Sequence, residues 1–125
     1  MWSNLYWHFD IRSDKSLGRS LPSSDIVKVL KKQMDLKQTG PQSFTNNVDF
    51  PWIEIACVDS KNGNYAHNHS VPTEKSNLII AVASRKNNND YDRYTHLLAE
   101  VASELDWELI LEEDDDNTED IVINK

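Results

Sequence analysis

The chain predicts an α+β fold in which a four-stranded antiparallel sheet carries two helices on one face. Three observations lead there. Residues 5–12 and 107–111 alternate apolar with polar side chains, the mark of half-buried strands. Residues 23–36 and 87–105 space their apolar side chains three and four apart, the mark of amphipathic helices. Two further apolar strands lie between the helices, which gives the order β-α-β-β-α-β. At 125 residues, 38% hydrophobic and 27% charged, the chain suits one soluble domain around one core.

In the first strand Leu5, Trp7, Phe9 and Ile11 share the core side, and Tyr6, His8, Asp10 and Arg12 share the other. The segment SDKSLGRSLP (13–22) is a connection. Ser23 or Ser24 then caps the first helix, Asp25 favours its positive end, and Ile26, Val27, Leu30 and Met34 form its stripe through about Leu36. Gly40-Pro41 ends any continuation, and 41–51 reads as polar loop. Trp52–Val58 (WIEIACV) is the second strand, with Ile53, Ile55 and Cys57 on the core side and Trp52 and Glu54 on the other. The long loop DSKNGNYAHNHSVPTEKS leads to a third strand, Ser76–Ser84, whose unbroken apolar run suits a central position.

The second helix begins at Asn87–Asp90 and carries Tyr91, Tyr94, Leu97 or Leu98, Val101 and Leu105 on one stripe. The fourth strand, Trp107–Leu111 (WELIL), turns Trp107, Leu109 and Leu111 to the core and Glu108 and Ile110 away from it. This order is the ferredoxin-like arrangement, with the first and third strands central and the second and fourth at the edges. Residues 1–111 form the expected globular domain, and 112–125 an acidic segment that can dock through Ile121–Ile123.

Charge is distributed unevenly. Residues 112–125 hold seven acids and one Lys, a net of −6, whereas the preceding 111 residues net only −2 of the total −8. Such an asymmetry speaks to partners rather than to the fold: it disfavours nucleic acid and favours a cationic protein or a cation. Two readings of the acids stand side by side, a solvated tail that discourages edge pairing and a partner-contacting rim. The face carrying Tyr6, His8, Asp10, Trp52, Glu54 and Glu108 is likewise either a solvated sheet surface or an interface of aromatic anchors and carboxylates.

Several chemistries find no support. The longest apolar run, Leu78 to Ala83, is far short of the ~20 residues that span a bilayer, and MWSNLYWHFDIR reads as a strand rather than a signal peptide. The single cysteine, Cys57, forbids an internal disulfide and sits on a buried strand phase, so the default location is cytoplasmic. His67 and His69 form an H-x-H pair near Asp59, but no third metal ligand is identifiable. The run DDDNTED lacks the spacing of a calcium loop, and neither a G-x-S-x-G elbow nor a glycine-rich phosphate loop is present. The expectation is therefore a protein without enzymatic activity or cofactor.

A small, acidic, Asn-rich domain with LYWHFDIR near its start and DWELILEEDDD near its end resembles bacterial immunity proteins, those of contact-dependent growth inhibition above all. The resemblance implies a cytoplasmic inhibitor that binds a cognate toxin C-terminal domain, often a nuclease. It would block the toxin's cationic groove with carboxylates in place of phosphate. The residues expected to meet that partner are Asp10, Trp52, Glu54, Glu108, Glu112, Glu113, Asp114, Asp115 and Asp116. A small-molecule-binding sensor domain, with a pocket between the 59–76 loop and the sheet, is the alternative.

Overall fold

Alternation in the first strand becomes burial. In the structure, a computed structural model that describes residues 6–13, 19–59, 75–113 and 119–124, strand β1 (Tyr6–Arg12) buries Trp7, Phe9 and Ile11 and leaves Tyr6 exposed. The same phase is buried in β5 (Ile53–Val58) through Ile53, Ile55 and Cys57, and in β7 (Leu78–Ser84) through Ile79, Ala81 and Ala83. Strand β8 (Glu108–Glu113) adds Leu109 and Leu111, with Trp107 buried just before it. Into this face pack Ile26 and Leu30 of α1 (Ser23–Lys31), and Tyr94, Leu97, Leu98, Val101 and Ala102 of α2 (Tyr91–Leu105). Both helices thus lie on one side of an α+β fold whose paired strands are all antiparallel.

The sheet is wider than the four strands expected. Among the described residues it has seven, in the order β3-β4-β5-β7-β1-β8-β9, where β3 is Leu36–Gly40, β4 is Ser43–Asn46 and β9 is Glu119–Asn124. The inner four, β5-β7-β1-β8, follow the expected order, but neither β5 nor β8 is an edge. A hairpin covers each of them.

The first hairpin corrects the reading of residues 32–46. Helix α1 stops at Lys31, and Leu36 and Phe44 are buried as strand residues rather than as helix and loop. Asn47 N–H donates to Asp35 C=O at 2.7 Å and Cys57 N–H to Gln42 C=O at 2.9 Å, which fixes the hairpin to itself and to β5. Gly40 then ends β3 and Pro41-Gln42 makes the hairpin turn, in place of a helix stop, and Met34, expected on the helical stripe, is 90% exposed. A Cβ at Gly40 would meet Ser43 Oγ at 2.6 Å, a contact that rotation of the serine side chain relieves.

The other hairpin changes the setting of the acids. Strand β8 continues past Leu111 to Glu113, and β9 returns with Ile121 in register with Leu111. Asp114, Asp115 and Asp116 lie outside the described residues.

Smaller differences have local causes. No serine caps α1; Pro22 occupies the cap position, and the buried Ser23 hydroxyl instead pairs with Ser76 Oγ at 2.7 Å. That contact joins the two-stranded ribbon of β2 (Leu21–Pro22) and β6 (Lys75–Ser76), which ties the start of α1 to the start of β7. Helix α2 ends on Asp106 in the left-handed conformation (φ 58°), with Trp107 N–H closing back on Ala102 C=O. Ile110, expected on the outward side, is fully buried. Among the described residues no helix is long and apolar enough to cross a membrane.

Candidate functional site

The sheet face away from the helices is a grid that the register makes explicit. Thr45, Glu54, Val82 and His8 stand side by side across β4, β5, β7 and β1. The next row runs Ser43, Ala56, Ile80, Asp10 and Ile110. Because neighbouring strands lie about 4.8 Å apart, each row is a line of closely spaced side chains.

At one end of the grid two aromatic rings are held in the open. Trp52 is 40% exposed and Tyr6 37%, with ring centroids 5.6 Å apart at a tilt of 50°. The Trp52 backbone is anchored from below, because its carbonyl accepts from the Tyr94 hydroxyl at 2.8 Å and from Ser84 N–H at 3.2 Å. Tyr94 is itself buried and packs edge-on to Phe50, while Arg93 lies over the Phe50 ring and donates to Asp49 C=O. Burial, with the Asp90 charge adding to it, pushes the Tyr94 phenol up to about 12, so it stays a neutral donor. Pro51 restricts the backbone just before Trp52. The backbone that carries the indole is consequently fixed, which lowers what ordering this segment costs on contact.

Below the rings, Thr39, Ser43, Thr45 and Glu54 rim an open groove of about 520 Å³ whose lining includes Ala56, Ile80 and Val82. Glu54 is exposed, and its carboxylate makes neither a hydrogen bond nor an ion pair among the described residues. The Thr39 hydroxyl donates to Ser43 Oγ at 3.2 Å, and that of Thr45 to Ile53 C=O at 3.0 Å or Asn46 Oδ1 at 3.3 Å. Their hydrogens are spent, so both oxygens face a visitor as acceptors.

The expected contact residues divide. Glu54 lines this groove, whereas Trp52, two residues earlier on the same outward phase and just before β5, stands next to Glu54 but outside the lining residues. Asp10 is half-buried between Ile80 and Ile110, and Glu108 is half-buried in register with Arg12, toward the far end of the grid. Glu112 and Glu113 end β8. His67 and His69 lie outside the described residues, and Asp59 is exposed at the end of β5. Burial pushes the Cys57 thiol up to about 12, which leaves it a small apolar group without nucleophilic character at neutral pH. Among the described residues no cluster of three His, Cys, Asp or Glu side chains is placed to hold a metal ion.

The hydroxyl rim was not legible in the sequence, where Thr39 falls after the expected helix and Ser43 and Thr45 in the expected 41–51 loop. The Gly40-Pro41 pair between short Thr- and Phe-containing runs was the available signal, since such a dipeptide also marks a hairpin turn. Comparisons of the chain with protein-family models, curated proteins and solved structures found no match.

Proposed function

We propose that this protein is a non-enzymatic inhibitor of the immunity type, which binds a cationic toxin domain in the cytoplasm and occludes its active site. The inner strands β5-β7-β1-β8 with the two helices serve as a ferredoxin-like unit, widened at both edges. One observation carries the functional reading: the exposed Trp52–Tyr6 pair, on a Trp52 backbone anchored by Tyr94, beside Glu54, a carboxylate with no partner among the described residues. Large aromatics anchored in place are the side chains that dominate interface energies. Glu54, with the acids that follow β8, supplies the charge that draws in a basic surface such as a nuclease groove. Folding does not require an indole and a phenol to be left this accessible.

The test is protection. Cells that express the protein should survive induction of the toxin domain encoded in an adjacent reading frame, and the variant W52A should lose that protection while remaining folded. In a binding assay with the purified toxin domain, association should slow about tenfold or more as salt rises from low to physiological levels. Adjacent frames without a toxin-like domain, or protection that W52A leaves intact, would count against the proposal.

A further inference from the structure

We infer that the groove below Trp52 receives an arginine side chain of the partner protein, with Glu54 as its counter-charge. The inference rests on the inhibitor reading and deepens it. The rim presents acceptors: the Glu54 carboxylate and the Thr39 and Thr45 hydroxyl oxygens, whose hydrogens are committed within the protein. No Lys, Arg, His, Asn or Gln is among the lining residues, so the groove offers an anion neither positive charge nor amide donors. A purely apolar visitor would strip water from the Glu54 carboxylate and return no hydrogen bond. A donor-rich cation satisfies both terms.

Arginine fits this better than lysine. Its guanidinium carries five donors in one plane and sheds water more readily than an ammonium, and it stacks on aromatic faces. The Trp52 and Tyr6 rings stand next to the Glu54 end of the groove, outside its lining, since Trp52 precedes Glu54 by two residues on the same outward phase, about 7 Å away along the extended chain. Ala56, Ile80 and Val82 offer an apolar bed for the methylene stem. At about 520 Å³ the groove also has room for backbone flanking the arginine, which suits a side chain presented by a protein surface.

The experiment is a titration of the full chain, followed by NMR, with N-acetyl-arginine-methylamide and with its neutral isostere N-acetyl-citrulline-methylamide. The expected result is saturable shifts of the Trp52 indole and of the Ala56, Ile80 and Val82 methyls, at roughly millimolar affinity as befits a single side chain. The citrulline compound should leave them unmoved, and E54Q should weaken the arginine response about tenfold while its spectrum stays native. Equal shifts with citrulline, equal affinity for the lysine analogue, or shifts confined to another surface would overturn the assignment. So would micromolar binding of free arginine with thermal stabilisation, which identifies a small-molecule receptor instead. The probe requires no toxin, so a failed titration overturns the groove's role alone, while failed protection of cells overturns the inhibitor reading alone.

Discussion

The two faces of the sheet are cut from the same strands and differ in what their apolar residues accomplish. Under the helices, Trp7, Phe9, Ile11, Ile53, Ile55 and Ile79 are all buried, and each contributes by leaving water. On the other face burial is graded. Val58 and Leu78 are buried toward one end and Ile110 on the β8 side, whereas Ala56, Ile80 and Val82 are half-buried and Trp52 and Tyr6 are exposed toward the other end. The contrast separates surface that folding uses from surface that folding leaves over. The leftover part is where aromatic anchors, a carboxylate without an internal partner and a groove coincide.

The largest expected effect compares two neighbours on β7. Ile79 is fully buried toward the helices, and Ile79→Ala should cost about 2–5 kcal/mol, because the packed site cannot close over the missing atoms. Ile80 points into the groove, where water replaces whatever is removed, and Ile80→Ala should cost about 1 kcal/mol. Urea unfolding of both variants measures the difference directly. Equal losses would mean that the groove face is as much a part of the core as the helix face.

This division explains what was legible in the sequence. Trp7, Phe9, Ile11 and the α2 stripe declared themselves because alternation and helical spacing are local patterns, and one element is enough to display them. The β3–β4 hairpin did not. It offers only Leu36 and Phe44 as buried apolar residues, and its pairing with β5 depends on contacts distant in sequence. Trp52 and Glu54 could be named as a pair because they share a strand phase, but the groove beside them exists only where Ser43, Ala56 and Ile80 meet in register. Likewise Ile121–Ile123 marked the acidic segment as able to dock, but that it docks on β8, and in which register, depends on a pairing that no local pattern in 108–124 states.

A second effect isolates the helix-covered face by pH. Cys57 and Tyr94 are both hidden there in neutral form, held at about 12 against ordinary values of 9.0 and 10.0. Between those limits the unfolded chain has lost protons that the native protein still holds, so stability falls as pH rises. The decline should begin near pH 9.0, steepen above 10.0 and level off above about 12. Urea midpoints across that range should show it, and Cys57→Ala combined with Tyr94→Phe should flatten the curve. A slope unchanged in the double variant would assign the alkaline loss to groups elsewhere.

The smallest effect is the most informative about the other face. Glu54 is exposed and its carboxylate has no hydrogen bond or ion pair among the described residues, so Glu54→Gln removes a charge without removing a contact. Stability should change by no more than about 0.5 kcal/mol, as for surface substitutions outside a defined interaction. The direction should be slightly favourable, because the net charge of −8 moves one unit toward zero and self-repulsion eases. A thermal midpoint at or above that of the parent protein would show that the fold gains nothing from the Glu54 charge. A loss greater than about 1 kcal/mol would show the opposite: the carboxylate would then be holding β5 in place, and the division of the sheet into a structural face and a recognition face would fail at the residue on which it most depends.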